Sequence, residues 1–234
     1  MTQLLISVKN LEESRIARYA NADIIDLKDP SVGALGALDV DVVSQIVQDV
    51  SGGVLLSATV GEGHATIDVL KQDIVLYAGL GVDVVKIAVS GLFKLADFYS
   101  EIKQLTNLGI KLVAVFFANE PLDFSLLNKL KDGGFYGAML DTQLKNTSLL
   151  ELQTTETLQK FTVVCKQHML ISGLAGSINM THVDRLLMLN PSFIGMRGGV
   201  CHRRDRTSTL VGDRVVEVKT MLLNYNNRLE PLEI

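Results

Sequence analysis

Asp23-Ile24-Ile25-Asp26-Leu27-Lys28-Asp29-Pro30 is the stretch on which the reading of this chain turns. Ile24, Ile25 and Leu27 give it strand character, and Pro30, followed by Gly33 and Gly36, ends the strand and opens a loop. Residues two apart on a strand share a face, so Asp26 and Lys28 project together. An ammonium is costly to bury without a partner. A lysine at the end of a buried strand therefore has two readings. It snorkels to water and pairs with Asp26 or Asp29, or it is an amine nucleophile whose pKa is lowered by desolvation or a second cation.

The same pattern recurs on either side. Apolar strands are predicted over 4–8, 54–60, 82–89, 111–118, 137–142, 169–174 and 193–196, each followed by a turn or loop and then a helical stretch. Helices are expected after the capping residue Asn10, then over 40–50, 67–80, 94–108, 123–131, 154–168, 181–189 with Thr181 as cap, and 213–224. Counting the opening stretch, the strand, loop and helix rhythm occurs eight times in 234 residues. That predicts a closed (β/α)8 TIM barrel of one domain, 1–234, with a polar C-terminal tail from about 225. An open doubly wound sheet is the alternative, but the first strand lacks the GxGxxG turn that dinucleotide folds use.

Composition agrees with this architecture and narrows the function. Hydrophobic residues are 47% of the chain and mean hydropathy is +0.27, with 6% aromatics and no Trp, so the core is aliphatic, as parallel strands under helices require. The net charge of −4 and the absence of a basic, aromatic-studded stripe argue against a nucleic-acid partner. Cys165 and Cys201 form no CxxC pair, and His168, His182 and His202 have no ligand-like spacing, so no metal or other cofactor is expected. The N-terminus lacks signal-peptide character and no apolar run approaches a membrane span, which predicts a soluble cytoplasmic protein with a small-molecule substrate. Barrels of this size often self-associate, and the sequence leaves a homo-oligomer open.

In such a barrel the chemistry gathers at the C-terminal ends of the strands. Asp26 and Lys28 on the second strand, Ser57 and Thr59 on the third with Glu62 and His64 in its loop, Lys86 on the fourth, and Asp141 with Lys145 after the sixth are all candidates for one mouth. Converging ammonium groups disfavour one another's protonation, which brings an amine within reach of Schiff-base formation. Asp26 and Asp141 would orient a lysine or shuttle protons. The turns Gly173-Leu174-Ala175-Gly176-Ser177 and Gly195-Met196-Arg197-Gly198-Gly199 occupy the two units where barrels often hold phosphate. There Gly173, Gly176, Gly198 and Gly199 would admit an anion to the backbone, while Ser177 and Arg197 would add a hydroxyl and a fixed charge. The run Arg203-Arg204-Asp205-Arg206 reads as a solvated loop or partner surface, His64 as a solvated loop histidine, Cys165 as core packing and Cys201 as a residue that could line a site.

The segments DIIDLKDPSVGALGA (23–37), LLSATVG (55–61), DVVKIAV (83–89), AMLDTQLK (138–145), GLAGSI (173–178) and GMRGGVC (195–201) resemble those of the (5-formylfuran-3-yl)methyl phosphate synthase family. The resemblance implies a (β/α)8 barrel. It implies condensation of two glyceraldehyde 3-phosphate molecules into a furan aldehyde phosphate, with loss of phosphate and water, for methanofuran-type one-carbon cofactors. On the family's motifs Lys28 is the Schiff-base lysine and Lys86 the proton acceptor. Asp26 and Asp141 are the supporting aspartates and Lys145 the third lysine. After GMRGGVC this chain departs from the family, carrying His202-Arg203-Arg204 where the family has a shorter, glycine-containing run. Two other readings suit the same residues: a Schiff-base sugar-phosphate aldolase, and a barrel that keeps the phosphate site without catalysis.

Overall fold

A computed structural model describes residues 1–50, 52–143 and 147–229. Its strands are β1 (Gln3–Val8), β2 (Ile24–Leu27), β3 (Leu55–Thr59), β4 (Val84–Ala88), β5 (Lys111–Phe117), β6 (Gly137–Asp141), β7 (Ile171–Leu174) and β8 (Phe193–Met196). They pair in parallel, each with the next, and β8 closes on β1, giving the barrel that the strand rhythm predicts. The helices are α1 (Leu11–Tyr19), α2 (Val40–Val50), α3 (Ile67–Gly79), α4 (Phe98–Asn107), α5 (Ser125–Asp132), α6 (Leu149–Leu152), α7 (Thr155–Gln167), α8 (Met180–Leu187) and α9 (Gly212–Leu229).

Strand parity divides the core in two. In β2, Ile25 and Leu27 face outward into the large cluster shared with the helices, whereas Ile24 joins the smaller cluster inside the barrel. That inner cluster holds Leu5, Val84, Val113, Val115, Met139 and Phe193. Ala34 and Leu35 join it from the loop after β2, so this loop folds down into the C-terminal mouth. The opposite end of the barrel is stitched by carboxylates. Asp23 accepts the Leu4 N–H and Asp83 the Leu56 N–H, each at 2.8 Å, so an aspartate just before β2 and another just before β4 fasten the preceding strand.

Three expectations are corrected. The helix expected over 94–108 starts at Phe98, because Gly91–Lys94 forms a 3-10 turn that buries Leu92 and Phe93 first. Asn179, not Thr181, caps α8, its side chain accepting the Thr181 N–H, as the stronger capping propensity of Asn favours. The last helix passes 224 and runs through Leu229, so residues 225–229 are helical where a tail was expected. Its polar look there is partly a contact: the Asn226 amide pairs with both the N–H and the C=O of Thr2, at 3.0 Å each. Residues 230–234 lie outside the described residues. Among the described residues no helix is long and apolar enough to cross a membrane.

Gly173 sits where β7 faces the inside of the barrel, and a Cβ there would lie 2.2 Å from Cζ of Phe193. The ring occupies the volume that any larger residue would need, and interiors at this density do not absorb a methyl group without displacement. Gly173→Ala should therefore lower stability by about 1–3 kcal/mol, read by thermal or denaturant unfolding. Adding Phe193→Leu to the same chain should recover part of the loss.

Candidate active site

A cavity of about 500 Å³ opens at the C-terminal end of the barrel, lined by residues of β1, the ends of β2 and β6, and the segments after β7 and β8. Lys28 reaches it from the position just past β2, where the strand parity that turns Asp26 inward also turns Lys28. Its Nζ lies 3.5 Å from Oδ2 of Asp141, with both side chains about nine-tenths buried. The other Asp141 oxygen accepts the Thr142 N–H at 2.7 Å, which fixes the carboxylate toward the lysine. Lys28 and Asp141 thus meet as the sequence suggests.

Beneath them lies a second pair, sealed within the barrel. Asp26 is wholly buried and Lys86 is 1% exposed, and neither lines the cavity. Lys86 Nζ stands 2.5 Å from Asp26 Oδ1, inside ion-pair range but off the axis of an aligned hydrogen bond. The Ser57 hydroxyl donates to the same oxygen at 2.7 Å, and the Ser7 hydroxyl donates to Asp26 Oδ2 at 2.9 Å. Burial pushes the Lys86 amine down, the Lys28 charge pushes it further, and the attraction of Asp26 offsets only part, leaving it below the ordinary lysine value. For Asp26, burial works to raise the carboxyl, but Lys86 and Lys28 together outweigh it and hold it below the usual carboxylate range. Lys86, with its depressed pKa, thus stands outside the cavity lining.

Two expected phosphate contacts are corrected. Gly173 does not line the cavity; it makes room for Phe193. Arg197 does line it, but its guanidinium is already committed. Nε donates to the Arg206 C=O, Nη1 to the Ser7 C=O and to Glu13, and Nη2 to Glu13 and the Ser208 C=O. Five donors meet five acceptors, so Arg197 fastens the loop after β8 to β1 and α1 and has no donor left for an anion. Gly176, Ser177, Gly198 and Gly199 do lie around the cavity. Gly176 adopts φ +109°, and a Cβ there would meet Thr142 at 2.5 Å; one on Gly199 would meet the Ile178 carbonyl oxygen at 2.3 Å. The two turns pack so closely that side chains are excluded.

Other residues fall differently from the sequence reading. Arg203 and Arg204 are exposed, as a solvated loop would be, and together with Arg206 they also line the cavity. Arg206 Nη2 donates to the carbonyls of Pro30 and Gly33, tying the segment after β8 to the loop after β2. Thr59 donates to the Gly36 C=O at 2.9 Å, and Glu62 accepts the Leu35 N–H at 2.8 Å, so both hold that loop. His64 pairs with Asp73 on α3 at 3.0 Å and does not line the cavity. Cys201 is buried outside the cavity lining, with its thiol pushed up chiefly by burial; burial alone pushes Cys165 up to about 12. Lys145 lies outside the described residues. Ser7, Glu13 and Leu35 were missed. For Ser7 the available signal was a lone hydroxyl at an inward position of the apolar strand Leu4–Val8. Glu13 and Leu35 carry no such mark, because their partners are remote in sequence.

Comparison with known proteins bears on this geometry. The family model described as 4-HFC-P synthase matches residues 4–219. A Methylorubrum extorquens protein provisionally named (5-formylfuran-3-yl)methyl phosphate synthase is 38% identical over 216 residues, covering 92% of this chain and 89% of its own. The (5-formylfuran-3-yl)methyl phosphate synthase of Methanocaldococcus jannaschii is 30% identical over 232 residues, covering 92% and 96%. Among solved structures, phosphoribosyl anthranilate isomerase from Thermus thermophilus superposes with a TM-score of 0.67 at 11% identity, covering 95% of this chain and 99% of its own. For 3-hexulose-6-phosphate synthase from Salmonella typhimurium the values are 0.64, 16%, 96% and 100%. These structural likenesses show the barrel alone. The match across nearly the whole chain shows more: this enzyme belongs to the 4-HFC-P synthase family, whose named members are (5-formylfuran-3-yl)methyl phosphate synthases.

Proposed function

We propose that this chain condenses two molecules of glyceraldehyde 3-phosphate into (5-formylfuran-3-yl)methyl phosphate, releasing phosphate and water. The reaction makes it a carbon–oxygen lyase, acting in the cytoplasm on the route to a methanofuran-type cofactor. The observation that carries the reading is Lys28 at the cavity floor beside Asp141, with the Asp26–Lys86 pair buried below. An amine held at a cavity floor among carboxylates and a second lysine suits attack on a carbonyl and dehydration of the carbinolamine.

In this mechanism one triose phosphate is isomerised to the ketone by proton transfer, with Lys86 as the base that finally holds the proton, reached through its hydrogen-bonded neighbours. The Lys28 amine adds to a carbonyl and expels water, giving an iminium. Loss of a proton from the neighbouring carbon gives an enamine, whose carbon attacks the second aldehyde. Phosphate leaves, the ring closes, dehydration aromatises it, and hydrolysis returns free Lys28. Asp26 and Asp141 assist the proton transfers. Gly176, Ser177, Gly198 and Gly199 cradle a phosphate, and the family's motif adds Lys145. The nearby Arg203 and Arg204 take the charge-supplying part first expected of Arg197.

Two experiments test this. Incubation with glyceraldehyde 3-phosphate should release inorganic phosphate and generate an ultraviolet chromophore. Borohydride added during turnover should leave a mass adduct on the peptide carrying Lys28. An unmodified Lys28 peptide would count against the imine, and cleavage products without the chromophore would favour an aldolase. The depressed amine gives a second expectation. If neutral Lys86 is the base, kcat should climb with pH along a limb below the ordinary lysine range. Lys86→Ala should lower kcat by about 10²–10⁴-fold and abolish that limb, while Lys28 still traps substrate.

A further inference from the structure

The buried pair poses a problem of access. Lys86 is 1% exposed and absent from the cavity lining, so a proton from bound substrate has no direct path to it in this conformation. The loop after β2, which folds into the barrel mouth, is anchored on several sides. Leu35 is wholly buried in the cluster inside the barrel, its N–H is held by Glu62, and the loop carrying it is tied by Thr59 and Arg206. Among the described residues bonded to Asp26, Ser7 lines the cavity, whereas Ser57 and Lys86 do not.

We infer that the Ser7 hydroxyl is the proton relay between substrate oxygen atoms in the cavity and the buried Asp26–Lys86 pair. The chain of contacts runs from Ser7 Oγ to Asp26 Oδ2 at 2.9 Å, and from Asp26 Oδ1 to Lys86 Nζ at 2.5 Å. A substrate or carbinolamine hydroxyl gives its proton to Ser7 Oγ as the Ser7 proton passes to Asp26 Oδ2. Rotation of the carboxyl group about its Cβ–Cγ bond then exchanges the two oxygens and brings the protonated one to neutral Lys86, which takes the proton once a small tilt of the lysine aligns that contact. Ser7 and Asp26 end as they began. The net change is one proton lost by substrate oxygen and one gained by Lys86, and reversal protonates a departing hydroxide. The end of β1 is held for this purpose, because Arg197 donates to the Ser7 C=O at 2.9 Å while anchored on Glu13.

Ser57 supplies the internal control. It donates to Asp26 as Ser7 does, so removing either hydroxyl costs Asp26 one hydrogen bond, but Ser7, unlike Ser57, lines the cavity. The inference rests on the reaction proposed above, and wild-type turnover of glyceraldehyde 3-phosphate is the measure of that reading. Where the wild type turns over, kcat and KM are compared for Ser7→Ala, Ser7→Cys and Ser57→Ala, with borohydride trapping at Lys28 as the check on folding and imine formation. Ser7→Cys keeps the volume while replacing the hydroxyl by a weak hydrogen-bond group. The relay predicts that both Ser7 variants lose about 10²-fold in kcat with KM nearly unchanged and Lys28 still trapped. Ser57→Ala should retain at least about ten times the kcat of either Ser7 variant. A smaller separation between the two sites means that Ser7 merely orients Asp26, and overturns the relay. A wild type that fails to turn over the triose phosphate overturns the reading beneath it instead.

Discussion

The Asp26–Lys86 ion pair inside the barrel is the constraint around which the molecule is arranged. Two opposite charges at 2.5 Å with essentially no exposure sit where an aliphatic barrel would normally place Val or Leu. A buried pair of this kind is weak evidence of stability, since desolvation offsets most of the attraction, yet losing one partner leaves an uncompensated charge. The structure meets that cost with two serine hydroxyls on Asp26, from β1 and β3. What the arrangement provides is an amine that surrenders its proton more readily than a lysine in water.

A second set of contacts keeps the mouth above that pair in order. The loop after β2 runs directly from Lys28 to Ala34 and Leu35 in the inner cluster, so the proposed nucleophile and these packing residues belong to one segment. Arg206 holds that segment from the β8 side, and Thr59 and Glu62 hold it from the β3 side. Arg197, buried on Glu13, fixes the base of the same loop system to β1. Because its donors are all engaged within the protein, the positive charge facing the cavity comes, among the described residues, from Lys28 and from the arginines that follow β8.

Much of this was legible in the chain. Apolar runs ending in glycine-bearing turns announced eight strands, and the parity of β2 put Asp26 and Lys28 on one side. Parity could not say how deep each side chain sits. Asp26, Lys86, Ser57 and Thr59 all read as residues of one mouth, yet the first three meet below the cavity and Thr59 serves the loop. Depth depends on the stagger of the strands and on what folds over them, and Leu35 looks like any loop leucine until the barrel closes. Arg197 misled for a related reason: its partner Glu13 lies in α1, far along the chain, and an arginine between glycines reads as an anion site. Asn226 misled in the same way, a polar residue near the C-terminus that pairs with the backbone of Thr2.

The protonation of the buried Lys86 amine can be measured on the free enzyme. Lysines labelled with 13C at Cε can be titrated by NMR, with the Lys86 resonance assigned from its loss in Lys86→Arg. The Lys86 midpoint is expected below the ordinary lysine value and lower still in Asp26→Asn, because the carboxylate is the group that holds the proton on. A midpoint at or above the ordinary value, or one that rises when the carboxylate is removed, would contradict it.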